Sequence, residues 1–168
     1  MRHTGGVAHV VDDDCELRVL TRDSARCIVD GARLVDWCAD YPSEGDIVIA
    51  GLLLATDEPT VEPWCSFQVV WHGTVVGGVG AKSPPRDGVV EIGYGLAPSA
   101  RGRGIAARAV ALLMSSMRAE VPTLVVEAQI DQANRASIAL VTQLGFTSAG
   151  VRDGLVLFRH HPQAPTPP

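Results

Sequence analysis

Arg101, Gly102, Arg103 and Gly104 stand between a β-branched stretch, Val89 to Leu96, and a long run with an apolar stripe at helical spacing. That placement suits the binding of an anion. The two glycines carry no side chain to block a ligand, so backbone N–H groups of residues 102–106 can turn together toward one phosphate at the positive end of a helix. Arg101 or Arg103 can add charge-assisted hydrogen bonds. A phosphorylated cofactor is the expected occupant. Gly102-x-Gly104-x-x-Ala107 also satisfies the loose dinucleotide pattern, with Glu127 near the end of the next strand. A dinucleotide turn follows its strand almost at once, however, and Pro98, Ser99, Ala100 and Arg101 intervene here. A nucleoside-triphosphate loop needs Gly-Lys-Ser/Thr, and the one lysine in the chain is Lys82.

A third reading rests on a pattern spread along the chain. Arg101-x-x-Gly104-x-Ala106 is preceded by Glu91-Ile-Gly-Tyr94-Gly-Leu96 and followed by Asn134-x-x-Ser137 and Leu144-Gly145-Phe146. In these motifs the sequence resembles the GNAT superfamily of acyl-CoA N-acyltransferases. Tyr41-Pro42-Ser43-Glu44-Gly45-Asp46 and the His72-Gly73 turn extend the likeness to the branch of ribosomal-protein N-terminal alanine acetyltransferases, the Rim type. The resemblance spans roughly residues 15–160.

The resemblance implies an α+β domain: a mixed, mostly antiparallel central sheet, helices on both faces, and a splayed strand pair that takes the cofactor arm. It implies acetyl-CoA as the cofactor and a primary amine as acceptor, by preference the α-amine of a protein or peptide N-terminus. A small-molecule amine, such as an aminoglycoside or polyamine, is the alternative acceptor; a non-catalytic acyl-CoA-binding regulator is the alternative to an enzyme. Pyrophosphate contacts fall to Arg101, Gly102, Arg103, Gly104, Ile105 and Ala106. Main chain near Tyr94, Leu96 and Ala97 would pair with the pantetheine arm, and Asn134 would hold its amide. Many relatives place a tyrosine acid seven residues after the asparagine, where this chain has Val141, so Ser137 becomes the candidate to serve the leaving thiolate. Asn134 is equally suited to cap a helix, with Ser137 in its first turn.

Glu91 is the candidate proton acceptor, since it interrupts an otherwise apolar strand beside the expected cofactor channel. A solvent-facing or salt-bridged structural role stands beside that reading. Reference pKa values favour an easily deprotonated acceptor: freeing a lysine near 10.4 costs about 3–4 kcal/mol more at pH 7.5 than freeing an α-amine near 7.8.

The elements that must position these groups follow from periodicity. Cys15 to Leu20 alternates as a strand, and Asp23 or Ser24 would cap a helix carrying Ile28, Ala32 and Val35 as far as Tyr41-Pro42. Acidic residues open a second short helix from Asp46. Cys65 to Trp71 and Thr74 to Gly80 form a hairpin around His72-Gly73. Gly93 and Gly95 weaken the strand from Val89 and suit a bulge or a ligand's close approach. A helix from Gly102 to Ala119, a strand from Thr123 to Ile130, a helix from Asn134 to Gly145 and a last hairpin around Asp153-Gly154 complete the chain, with one parallel crossover at the anion site. The acceptor pocket would be lined by residues 41–60, the 82–88 loop and the final hairpin. Trp64 and Trp71 belong by expectation to the core.

With 168 residues, one domain over residues 1–161 can bury about two thirds of its unfolded surface. Residues 162–168 read as a proline-rich tail, and His160-His161 as its solvated start. A net charge of −5 argues against general nucleic-acid binding. Arg108 would either meet phosphates or point to water. Cys15, Cys27, Cys38 and Cys65 form no close pair and the histidines are scattered, so neither a metal site nor a disulfide framework is expected. No apolar run reaches the ~20 residues of a membrane span, and no signal segment opens the chain. A cytoplasmic protein, with no membrane partner and a homodimer among its options, is the expectation.

Overall fold

The computed structural model describes residues 9–11 and 14–162, so the tail from residue 163 onward lies outside it. Among the described residues, eight strands form one sheet: β1 His9–Val11, β2 Cys15–Val19, β3 Ser66–Trp71, β4 Thr74–Ala81, β5 Val89–Leu96, β6 Val125–Ile130, β7 Thr147–Arg152 and β8 Leu155–His160. Their order across the sheet is β1-β2-β3-β4-β5-β6-β8-β7. Every neighbouring pair runs antiparallel except β5 with β6. Four helices flank the sheet: α1 Arg22–Val29, α2 Glu44–Ala55, α3 Ile105–Glu120 and α4 Arg135–Gln143. This is the α+β architecture that the motifs imply.

Two apolar clusters hold the layers together. One packs Ile105, Ala109, Val110, Leu113 and Met117 of α3 against Leu17, Val69, Val90, Ile92 and Val126 of the sheet. The spacing of three and four residues puts those α3 side chains on one face, wide enough to cover several strands. The other cluster sets Ala25 and Ile28 of α1 and Ala50 of α2 against Val70 and Val75. Strand β3 touches both clusters, which is why Phe67 to Val70 are buried in succession and not in alternation.

Local signals explain where the helices differ from expectation. Helix α1 ends at Val29, not at Tyr41, because Gly31 takes φ +72° and turns the chain out of the helix. The Arg33 guanidinium then donates to the carbonyls of Cys38, Ala39 and Tyr41 and holds the connection to α2 in place. Thr21, not Asp23 or Ser24, is the N-cap, accepting from the Ser24 amide at 3.1 Å. In α2 the Ser43 and Asp46 side chains form a capping box. That helix is apolar almost all round, and Ile47, Val48 and Leu52 stay exposed.

His160 is not the start of a solvated tail: it closes β8, half-buried, with Nδ1 2.8 Å from Arg118 Nη2 and its ring edge-on to Phe146. Burial and the neighbouring Arg118 both hold its pKa below the ordinary histidine value. The one β3–β4 irregularity falls between Val69 and Val70, while β4 and β5 pair in unbroken register, so Gly93 and Gly95 do not mark a bulge.

Candidate active site at a split between parallel strands

Strands β5 and β6 pair only where Val89, Val90 and Glu91 face Val125, Val126 and Glu127. Beyond those pairs β5 runs on to Leu96 and β6 to Ile130 without meeting, so the centre of the sheet opens into a wedge. The unpaired edges need hydrogen-bond partners. Lys82 N–H donates to Glu91 O and Ala97 N–H to Val76 O, which fixes the odd-numbered residues of this stretch as those bonded to β4. By alternation the main-chain groups of Tyr94 and Leu96 point into the wedge. Ala97 departs from the expected cofactor set. It is fully buried, its amide is bound to Val76 at 2.8 Å, and its carbonyl accepts from Ala100 at 2.9 Å. The carbonyl of Leu96 accepts from Arg101 Nε at 3.0 Å, leaving the Leu96 amide as its free group.

A single 3-10 turn, Pro98–Ala100, carries the chain from the wedge to the glycine loop. Gly102 and Gly104 both lie in the left-handed region, at φ +73° and +75°. Among the described residues, the amides of Gly102, Arg103 and Gly104 donate to no main-chain carbonyl. Helix α3 starts three residues later than its apolar stripe suggested, at Ile105, with no side chain capping it. Its first amides are therefore open donors as well. Ile105 is wholly buried and offers only its backbone, whereas Arg101 and Arg103 are exposed. This group of aligned N–H donors with two guanidinium groups fits the diphosphate of a coenzyme. Arg108 is excluded from it: its Nη1 bonds Asp14 Oδ2 at 2.9 Å, and its guanidinium sits 5.6 Å above the Trp71 ring.

Asp40, on the connection between α1 and α2, anchors the turn before the loop. Its two carboxylate oxygens take the Ser99 amide at 2.7 Å and the Ser99 hydroxyl at 2.6 Å. These bonds favour the charged form and lower the Asp40 pKa from 3.8 to about 2. A pKa depressed on folding contributes stability above pH 3.8, and that contribution disappears as pH falls from 3.8 through about 2. Thermal melts of wild type and Asp40→Ala are therefore expected to differ at neutral pH and to converge in that acidic window. A gap independent of pH would show that the Asp40 charge does not hold the turn.

Glu91, at the last paired position of β5, is half-buried and ion-paired. The Lys82 ammonium contacts its Oε1, and Gln129 Nε2 donates to Oε2 at 2.8 Å. The salt-bridged arrangement foreseen as the alternative thus occurs, at the closed end of the wedge. Glu127, its neighbour across the pair, is 4% exposed and bound by Arg159 at 2.6 Å and Arg152 at 3.3 Å. It is not placed to hold a ribose, which removes the dinucleotide reading's acidic partner.

On the far wall Asn134 caps α4, its Oδ1 accepting from the Ser137 amide at 3.1 Å. Its side-chain NH₂ and the Ser137 hydroxyl make no other bond among the described residues. Val141 is fully buried in the core. Tyr94 reaches over from β5, its hydroxyl donating to the Ser137 carbonyl at 3.3 Å. Burial raises its pKa and so keeps the phenol protonated.

The opposite face of β4 and β5 holds a cavity of about 330 Å³ beneath α2. Tyr41, Ser43, Asp46 and Ile49 form its roof, Leu20, Phe67 and Gln68 one side, and Gly78, Gly80, Gly93 and Gly95 its floor. Of the expected acceptor lining, Tyr41, Ser43, Gly45, Asp46, Val48, Ile49 and Lys82 take part; residues 50–60, residues 83–88 and the final hairpin do not. The alternation of glycines in β4, against the same alternation in β5, was the available sign of a hollow between them.

Residues 28–147 match the family model described as acetyltransferase (GNAT) domain. Solved structures share the fold at low identity. An acetyltransferase from Agrobacterium tumefaciens is 19% identical, covers 96% of this chain and 98% of its own, and superimposes with a TM-score of 0.64. For the ribosomal-protein-S5-alanine acetyltransferase of Vibrio fischeri the values are 17%, 95%, 100% and 0.66. For RimL, a ribosomal L7/L12 alpha-N-protein acetyltransferase solved with coenzyme A, they are 17%, 92%, 98% and 0.65. No curated protein sequence matches the chain.

Proposed function

The chain belongs to the acetyltransferase (GNAT) domain family, enzymes that use acetyl-CoA to acylate amines, and from that premise we propose that its preferred acceptor is the α-amine of a protein or peptide N-terminus. The observation that carries this reading is the state of Glu91. The carboxylate at the last paired position of β5 is shared with the Lys82 ammonium and the Gln129 amide, and any carboxylate is a far weaker base than an amine. Such a group suits an amine of which a substantial fraction is already neutral, and an α-amine near 7.8 meets that condition where a lysine near 10.4 does not. The likeness in fold to proteins named as a ribosomal L7/L12 alpha-N-protein acetyltransferase and a ribosomal-protein-S5-alanine acetyltransferase supports the same acceptor.

Acetyl-CoA supplies the acyl group as a thioester. The amides of residues 102–106 with Arg101 and Arg103 anchor its diphosphate, the main chain of Tyr94 and Leu96 orients the arm, and the Asn134 NH₂ holds an amide of that arm. Glu91 accepts the proton that the acceptor nitrogen loses, directly or through water. As the acceptor nitrogen bonds the carbonyl carbon and the C–S bond breaks, the Ser137 hydroxyl, at the first turn of α4, would pass a proton to the leaving thiolate and regain one from water, a role that Val141 cannot fill.

Acetyl-CoA with two matched peptides tests the reading, one with a free N-terminus and no lysine, the other N-terminally blocked with an internal lysine. Thiol release and mass spectrometry should find acetyl on the free α-amine. Modification of the blocked peptide at an equal rate would overturn it.

A further inference from the structure

The cavity beneath α2 is mostly apolar; apart from Ser66 and Lys82, whose ammonium is paired with Glu91, its polar groups gather in one corner. Leu20, Ile28, Ile49, Phe67 and Val79 give it hydrocarbon walls. In the corner the buried Gln68 donates to the Tyr41 hydroxyl at 3.1 Å, and Asp46 stands beside them. The Asp46 carboxylate is only half satisfied. Its Oδ2 takes the Ser43 amide at 2.9 Å and the Ser43 hydroxyl at 2.6 Å, while Oδ1 has no partner among the described residues. Space for Oδ1 exists because the residue beneath it is glycine: a Cβ on Gly78 would lie 2.7 Å from that oxygen. Gly93 and Gly95 open the floor next to the wedge, where an added Cβ would meet nothing closer than Lys82 Cε at 3.9 Å. The hollow is therefore continuous with the β5 segment that faces the cofactor arm.

Resting on the acetyltransferase reading, we propose that this cavity is the acceptor's specificity pocket, and that it selects an amine bearing an apolar group together with a second, cationic nitrogen that pairs with Asp46 Oδ1. A cavity of about 330 Å³ is at the small end of those that hold organic ligands, enough for a terminal residue and part of the next. A half-buried carboxylate with a free oxygen is better matched by a cation than by a neutral donor, since charge-assisted bonds are the stronger. Burial raises the Asp46 pKa against the opposing pull of the Ser43 bonds, as expected for a charge whose compensation is incomplete. For a peptide acceptor the chemistry corresponds to an apolar first residue followed by a basic one; an apolar diamine would present the same groups without a peptide.

The test uses the full chain with acetyl-CoA and four acceptors: peptides beginning Leu-Lys and Leu-Glu, a peptide beginning Gly-Lys, and a linear alkyl diamine. Leu-Lys should exceed Leu-Glu in kcat/KM by about tenfold or more, the size of one charge-assisted hydrogen bond, and Gly-Lys should fall behind Leu-Lys. Asp46→Asn keeps an oxygen for the Ser43 cap but loses the charge, and it should erase the Lys-over-Glu preference while leaving coenzyme A affinity unchanged. Should that variant fail to fold, the Leu-Lys over Leu-Glu preference of the wild type decides the matter alone. Acetylation of all peptides at equal rates would overturn the pocket assignment and leave the N-terminal reading standing. Turnover of the diamine with none of the peptides would overturn the N-terminal reading and keep the Asp46 assignment.

Discussion

Gly104→Val protein is expected to fold and to lose coenzyme A binding by about two orders of magnitude or more, close to 3 kcal/mol in calorimetry. Two effects of the substitution act together. Gly104 has φ +75°, a conformation in which a β-branched residue is a steric outlier, at a cost of about 1–2 kcal/mol. An added Cβ would meet no protein atom within 4 Å, so the valine side chain would extend into the space before the open amides of residues 102–106. The strain alone would lower the melting temperature by a few degrees, about 2–4 °C per kcal/mol for a chain of this size. Gly73→Val is the control. Gly73 has φ +79° in the β3–β4 turn and open space around its missing Cβ, so it carries like strain outside the glycine loop. Equal coenzyme A affinity in both variants would show that the loop amides do not hold the diphosphate.

Strand β5 and the glycine loop could be read almost to the residue, because a β-branched run and paired glycines act through local backbone preferences. Helix α3 begins at Ile105 and not at Gly102, since apolar periodicity does not register that Gly102 and Gly104 turn the chain the left-handed way. Helix α1 stops short of its periodic pattern for the same reason at Gly31. Groups whose role depends on distant partners were harder. Nothing near Glu91 announces that the chain's one lysine would sit on its carboxylate, nine residues back and on the neighbouring strand's end. Asp46 was read only as an acidic residue opening a helix; its place above Gly78 comes from packing α2 across the sheet. Ala97 was assigned to the cofactor, yet strand register turned its amide toward β4, a parity that one residue's shift would have reversed.

Glu91→Gln and Ser137→Ala together distinguish an enzyme from a protein that only stores acyl-CoA. Glutamine at position 91 keeps the shape and can still bond Lys82 or Gln129, but it cannot take a proton at neutral pH. Loss of a positioned acid or base lowers turnover by about 10²–10⁴, and kcat of Glu91→Gln is expected to fall within that range. The Ser137 hydroxyl bonds no described residue, so its removal should leave stability near wild type and lower kcat alone. Neither side chain belongs to the 101–106 anchor, so coenzyme A affinity should change little in both variants. That pattern, kcat lost with cofactor binding kept, is the mark of groups that act on the reacting atoms. A regulator without chemistry would show no turnover to lose. If Glu91→Gln kept the wild-type kcat with a peptide acceptor, proton transfer would have to run through water or another group. The ion pair with Lys82 would then be a brace for the closed end of the wedge, where β5 and β6 still pair.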